Sequence, residues 1–369
     1  MLSGGVMTNK IERLRVGLIG ATGRWGPSAH IPSIQNLPET ELYAVCTAHK
    51  ETAQAASEKY DVELAYHNDK TMNENPQVEA VSVAVRVPAH FELTKNAIEA
   101  GKHVFCEWPL GANLKEAEHL ASLARDRGVH TMVGLQRRAS PIYLRLQELV
   151  GEGYVGEVLA VNLQQLGGGV LSRTADRTWQ KDVELGANTL TIGFGHAIDA
   201  LCMVVGEITE VSGMVRTQVP QWYETDTQQF VDVTSPDNII LAGIVESGAV
   251  VNAYVGVHPY HGSGYKMEIY GKEGTLVLSS AGGQRLRIFG GRKDNQELEE
   301  IEVPNRLTWV PERVQSAGPA FEVGQMWVNF ARAIRTGVPA EPGFDHAVLR
   351  HKLLDAIQTA SDTGQRQKL

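Results

Sequence analysis

A short apolar run beginning at Arg15-Val-Gly-Leu-Ile19 passes directly into Gly20-Ala-Thr-Gly23-Arg-Trp-Gly26, and no other feature restricts the fold more. An apolar run of this length reads as a strand buried on both faces. Glycines at three-residue spacing permit a tight strand-to-helix reversal. They also leave backbone N–H groups and a helix N-terminus open to a pyrophosphate. Further β-rich runs follow at Glu41–Cys46, Ala80–Val85, His103–Cys106 and His130–Val133, with helical patterns at Lys50–Tyr60, Phe91–Ala100 and Leu114–Arg127 between them. Such alternation predicts an α/β fold, here an N-terminal Rossmann domain with a doubly wound parallel sheet over residues 14–138. The glycine turn is then the first βα turn, with Gly20, Thr22, Gly23 and Arg24 lying along a dinucleotide.

At ~100–200 residues per domain, a chain of 369 residues leaves room for a second domain over 139–369. There the pattern changes to longer β-like runs, among them Glu157–Leu166, Glu210–Val219, Asn238–Glu246, Ala249–Val257, Tyr265–Tyr270, Gly274–Ser279 and Gln284–Phe289. Short connections such as Glu246-Ser-Gly248 and Gly271-Lys-Glu-Gly274 are hairpin signals. The expectation is a C-terminal α+β domain with a large, mainly antiparallel open sheet, interrupted by a helix over Val183–Gly206. Two amphipathic helices close the chain, one carrying Val323, Trp327, Phe330 and Ile334, the other Leu349, Leu353, Ile357 and Ala360. Apolar residues on both sides of Glu157–Leu166 and Ala249–Val257 predict a homodimer or homotetramer assembled through the sheet.

Charge narrows the partners. With 34 Lys+Arg against 43 Asp+Glu, the chain lacks the basic surface that nucleic acid requires. The longest apolar run, around Ala197–Val205, is broken by Asp199 and too short to span a bilayer. Residues 1–10 carry no apolar signal segment, and the first dozen read as a polar leader. Three scattered cysteines, Cys46, Cys106 and Cys202, make no disulfide framework, so a cytoplasmic protein is expected. His258-Pro-Tyr-His261 offers two histidines without a third ligand, and no metal is expected. Tyr66-His-Asn-Asp-Lys70 has the Tyr-x-x-x-Lys spacing of short-chain dehydrogenases, but lies too early in the chain for their catalytic helix.

Cofactor choice is read at the end of the second strand, where an acidic residue would hold the 2′-hydroxyl of NAD. Here Val45-Cys46-Thr47-Ala48-His49-Lys50 has no carboxylate. Thr47, His49 and Lys50 suit a 2′-phosphate, so NADP is favoured over NAD. Other strand ends, where open α/β sheets place their ligands, contribute Val87, Pro88 and His90, then Glu107 and Trp108, then Gln136.

Phe105-Cys106-Glu107-Trp108-Pro109, Val85-Arg-Val-Pro88-Ala-His90 and Gly134-Leu-Gln136-Arg-Arg138, followed by antiparallel-sheet and closing-helix patterns, resemble the Gfo/Idh/MocA oxidoreductases. The resemblance runs from Arg15 to about Gly364. It implies that Glu107 sits near the nicotinamide ribose and that His196 is the acid/base. Two departures accompany it: Trp108 stands where the family carries lysine, and Ile192 where it carries aspartate, four residues before His196. Together with Trp25 in the glycine turn, these resemble the branch containing a fungal galactose-pathway repressor.

In the resulting scheme a sugar, polyol or related cyclic alcohol or carbonyl compound exchanges hydride with NADP while His196 handles the proton. Trp108 stacks on nicotinamide or substrate, and Asp199 orients His196. In the loop Gly167–Glu184, Arg173 and Arg177 grip a carboxylate or phosphate and Trp179 stacks on a ring. The alternatives are an NADP-sensing regulatory or scaffold protein without turnover, and a nicotinamide-dependent glycosidase.

Overall fold

A computed structural model describes residues 12–281 and 285–369. The expected leader falls almost wholly outside these residues, as does Gln284, where the last predicted strand begins. The N-terminal half contains β1 (Leu14–Ile19), β2 (Thr40–Cys46), β3 (Leu64–Tyr66), β4 (Ala80–Val83), β5 (His103–Cys106) and β6 (Thr131–Val133). Its helices are α1 (Ile31–Asn36), α2 (Lys50–Tyr60), α3 (Asp69–Asn73), α4 (His90–Glu99) and α5 (Leu114–Arg127). The strands form one parallel sheet in the order β3-β2-β1-β4-β5-β6. That is the Rossmann order, with the switch point between β1 and β4.

Alternate residues feed the sheet's two faces. Ile19, Val81, Val104 and Cys106 pack with Ala97, Ile98 and Leu120 of α4 and α5. Val16, Leu18 and Phe105 belong to the opposite face. That face is closed by α9 (Ala320–Thr336), whose Trp327 and Phe330 rings lie 4.9 and 6.1 Å from the Phe105 ring. A helix from the far end of the chain thus crosses the division expected at residue 138 and completes the N-terminal core.

The second half adds α6 (Pro141–Gly151), β7 (Val158–Gly167), β8 (Ser172–Arg173), α7 (Gly195–Val205) and β9 (Ile208–Arg216). β10 (Gln221–Glu224), β11 (Gln229–Asp232), β12 (Asn238–Val245), β13 (Val250–Val257) and β14 (Gly264–Gly271) follow. Next come β15 (Gly274–Ala281), β16 (Arg287–Arg292), β17 (Glu299–Ile301) and α8 (Glu312–Gln315), then α9, α10 (Phe344–Thr363) and β18 (Gln367–Lys368). Nine strands form a sheet in the order β17-β16-β15-β14-β7-β13-β12-β9-β18, antiparallel except where β7 meets β13. Its inner face buries Val161, Leu163, Ala253, Val255 and Met267 in one core with Phe194, Leu201 and Leu353.

The outer face departs from the apolar surface expected. Met214, Ile240, Val250 and Tyr270 are exposed, but among them runs a polar ladder in which Asn252 donates to Asn162 and Asn162 to Glu268. Of the last helix's stripe, Leu349 faces solvent while Leu353, Ile357 and Ala360 are buried. The helix expected over Val183–Gly206 is also broken. Gly186 has φ +70°, and a Cβ there would lie 2.4 Å from the Ala112 Cα. Asn188 then caps a new start, its Oδ1 accepting from the N–H groups of Leu190 and Thr191. A wide turn, Thr189–Phe194, precedes α7. No helix among the described residues is long and apolar enough to cross a membrane.

Candidate active site

The glycine turn is built for close approach. Gly20 N–H donates to Cys46 O, drawing the ends of β1 and β2 together. At φ +106°, a Cβ on Gly20 would lie 2.3 Å from Ala84 O, and one on Gly26 would lie 2.5 Å from Gly20 O. Only glycine fits at these two positions. Thr22, Gly23 and Arg24 are exposed along the turn, and Trp25 is half-buried. At the end of β2, Thr47 is buried, with its hydroxyl beside His49 O and the Thr52 hydroxyl, whereas His49 and Lys50 are exposed. Gln136, after β6, has a buried Oε1 without a partner. A crowded glycine cradle and an orphaned acceptor fit a dinucleotide laid across the strand ends.

His90 was expected to touch the cofactor. Its buried ring instead lies with one nitrogen 2.7 Å from Pro109 O and the other 3.1 Å from Val85 O, leaving neither for a ligand. It straps the loops after β4 and β5 together. Of its neighbours, Val87 is buried and Pro88 exposed.

Glu107 is held from below. Trp327 Nε1–H donates to His30 Nδ1 (3.2 Å), so His30 Nε2 carries the proton and donates to Glu107 Oε1 at 2.7 Å. Against Gly134 the Glu107 carboxylate is so close that a Cβ there would meet it at 2.6 Å.

Trp108 is not free to stack on nicotinamide or substrate. It is 5% exposed, donates its Nε1–H to Thr191 O at 2.7 Å, and lies 4.8 Å from the His351 ring. Gly195 makes room for it, since a Cβ there would approach Trp108 Nε1 to 2.7 Å. The indole is a clamp between the Rossmann strand end and the second domain.

His196 keeps some exposed surface on α7, one turn beyond the cleft-lining Ile192 and Gly193. Burial, and then the charge of Arg137, push its pKa down to about 3, with Asp199 opposing weakly. Asp199 neither orients His196 nor faces a substrate. Its carboxylate is 1% exposed and accepts from Arg138 (2.9 and 3.1 Å), His346 (2.9 Å) and Arg350 (3.2 Å). Burial would raise its pKa, but the bond from His346 and the charges of Arg138 and Arg350 outweigh that and hold it far below the ordinary range. Asp199 is the hub of a buried cluster because Arg138, from the short turn after β6, and His346 and Arg350, both from α10, converge on it from positions that its sequence neighbours do not reveal.

Beside α7 opens a cleft of about 530 Å³, lined by Arg137, Arg173, Arg177, Trp222 and Tyr265 among others. Arg173 and Arg177 are therefore brought together as expected of a shared site. Trp179 lies elsewhere, under the Arg86 guanidinium at 5.6 Å, where Arg86 also donates to Asp176 O. This ties the 170s loop to the Rossmann domain. Trp222, on β10, takes the place expected of Trp179, with Arg173 4.1 Å above its ring. The sequence reasoning missed Arg137, although it directly follows Gln136 at a strand end. Trp222 and Tyr265 carried no local signal, being brought in by distant strands.

A glycine-turn Rossmann sheet joined to a mixed-sheet domain that holds a cleft is the two-domain fold of the NAD-binding oxidoreductase family. The chain belongs to the Gfo/Idh/MocA family: residues 14–135 match its sequence description, "Oxidoreductase family, NAD-binding Rossmann fold". Residues 141–280 match "Gal80p, C-terminal domain". Over 96% of its length the chain is 31% identical to the dehydrogenase aclE of Aspergillus oryzae, covering 98% of that protein. Among solved structures, a levoglucosan dehydrogenase in complex with NADH and levoglucosan shares the fold with TM-score 0.86 and 20% identity, over 97% of this chain and 99% of that one. A super-repressor mutant of Gal80p from Saccharomyces cerevisiae does so with TM-score 0.84 and 21% identity, over 97% and 98%.

Proposed function

We propose that this protein is a dehydrogenase or reductase that moves hydride between NADP and a CH–OH carbon of a small polyhydroxylated substrate, with His196 as acid/base. The observation that carries this reading is a neutral imidazole with no hydrogen bond to a described residue, adjoining an arginine-lined cleft. When bound, the nicotinamide accepts or donates the hydride. The protein's part is to orient and to move a proton. Gly20, Gly23 and Gly26 admit the pyrophosphate, with Thr22, Arg24 and Trp25 beside it. Val87, Pro88, Glu107 and Gln136 line the strand ends toward the nicotinamide. Exposed His49 and Lys50, with no carboxylate between Cys46 and Lys50, favour a 2′-phosphate and hence NADP. A neutral imidazole nitrogen takes the hydroxyl proton in oxidation and returns it in reduction.

One observation favours a second reading, an NADP-sensing regulator. Trp108 cannot carry a proton and is locked between domains, and the second domain matches that of Gal80p. Absorbance of NADPH and NADH, followed against inositols, anhydrosugars, sugar acids and their keto forms, separates the two. Turnover abolished by His196→Asn, with NADP affinity kept, is expected. Absence of turnover together with an NADP-dependent protein partner would establish the regulator. We also infer self-association through the outer sheet face carrying Met214, Ile240 and Val250, which light scattering tests, and a reducing, cytoplasmic setting for three buried thiols.

A further inference from the structure

The cleft beside His196 carries a charge imbalance. Arg137 donates from Nη2 to Gln165 Oε1 at 2.7 Å, but its Nη1 is buried with no partner. Its guanidinium lies 5.0 and 5.8 Å from the rings of Tyr265 and Tyr143, whose buried hydroxyls also lack partners. Arg173 lies on the Trp222 ring, and its Nε is likewise buried and unpartnered. The third guanidinium, Arg177, is close enough that its like charge, added to burial, pushes the pKa of Arg173 down to about 10.

None of these cations is neutralised by the carboxylate that shares the cleft. Asp237 accepts from the N–H groups of Gln218 and Val219, each at 2.8 Å, and from the Asn238 amide. Two other carboxyls reach Arg137 by charge: Glu322, whose pKa burial pushes up against the charged form, and Asp199, which is already committed to Arg138, His346 and Arg350. Asp176 lends Arg177 only a partial counter-charge, since burial and the charge of Arg24 still hold the Arg177 pKa below its ordinary value. Buried guanidinium N–H groups without acceptors are costly, and like charges held together raise that cost. A negatively charged oxygen group placed among them removes both penalties, and the flat arginine fork suits it.

We propose that the substrate of this cleft is an acidic polyol, whose carboxylate or phosphate seats against Arg137 and Arg173 while its hydroxylated body extends toward His196. This rests on the reading of the cleft as the substrate site of a dehydrogenase, and it names the class of substrate. The unpartnered Tyr143 and Tyr265 hydroxyls and the free Gln165 amide nitrogen supply donors for the anion or adjoining hydroxyls. Trp222 keeps the Arg173 fork flat and oriented.

The test is calorimetric binding to the full chain saturated with NADP. The probes are D-glucuronate (carboxylate arm), D-glucose 6-phosphate (phosphate arm) and D-glucose as neutral counterpart. At least one anion should bind about tenfold or more tightly than glucose, as one charge-assisted hydrogen bond supplies. Arg173→Gln and Arg137→Gln should each remove most of that preference and leave the NADP Kd within about twofold. Should the Arg137 variant not fold, the more exposed Arg173→Gln decides alone. Equal affinity for glucose and both anions, no binding of either anion, or an unchanged preference in Arg173→Gln would each overturn the proposal. Cofactor reduction is read separately. Anion binding without any redox change defeats the dehydrogenase reading and leaves the anion seat standing, while turnover of neutral sugars without anion preference does the reverse.

Discussion

Replacing Asp199 by Asn tests whether this residue supports the fold or the chemistry. The substitution is nearly isosteric, so packing changes little and charge changes fully. Arg350 is 0% exposed and keeps one counter-ion, Glu207, to which its Nη2 donates at 2.8 and 2.9 Å. Arg138, at 17% exposure, loses both its bonds to a carboxylate. Breaking a buried ion pair on one side costs about 3–5 kcal/mol. Because Arg350 is half-compensated, the lower end applies, about 3 kcal/mol, or a Tm fall of roughly 4 °C for a chain of this length. The pH dependence has a definite sign. A carboxyl held below its ordinary value of 3.8 contributes stability that is present above that pH and is lost as pH falls through the folded value. Urea melts of parent and variant should therefore differ by a constant amount at neutral pH, with the difference beginning to shrink only below about pH 4 and closing as pH approaches the folded value. A difference under about 1 kcal/mol, the scale of a surface pair, would refute the cluster. Full stability with lost turnover would return Asp199 to the acid/base machinery.

Three further outcomes follow from the same geometry. Trp108→Ala should lose about 3–5 kcal/mol by cavity formation, measured by denaturant unfolding, whereas Trp108→Phe keeps most of the packing and loses only the bond to Thr191; an alanine variant as stable as the parent would show that the clamp carries no load. Lys50→Glu places an acid at the end of β2 and should weaken NADP binding about tenfold or more with little effect on NAD, read by fluorescence titration; parallel losses for both cofactors would remove Lys50 from the 2′ site. Arg137→Gln should raise the His196 pKa from about 3, seen in imidazole NMR shifts against pH. The new value should stay below 6.5, because burial is the larger cause and persists. An unchanged or lower value would mean that the Arg137 charge does not reach the imidazole.

The Rossmann half was legible because its signals are local. Gly20 must be glycine on account of the turn it makes, and the parallel strands β1, β2, β4, β5 and β6 are short apolar runs that need no partner's identity to be recognised. β3, β10 and β11 are as short as β4–β6 but were missed because they lack a buried apolar run: β3 is a half-buried edge strand, and β10 and β11 are broken by polar residues. In the long interdomain segment, Asn188 and Gly186 carry a cap and a breaker that were readable in principle, but the apolar stretch after them outweighed both.

Side-chain roles divide along the same line. Local order and a family pattern were enough for the glycine turn after β1, the place of His196 on its helix, and the proximity of Arg173 to Arg177. Those positions depend on backbone geometry set within a few residues. Tertiary structure alone decided that Trp108 is a clamp, that Asp199 serves an ion cluster, that Trp222 rather than Trp179 lies in the cleft, and that α9 belongs to the first core. Each of these is a contest between distant partners for one buried polar group or ring. A chain pattern records which residues need a partner, but only the packed fold brings that partner within bonding distance and removes the water that would otherwise serve.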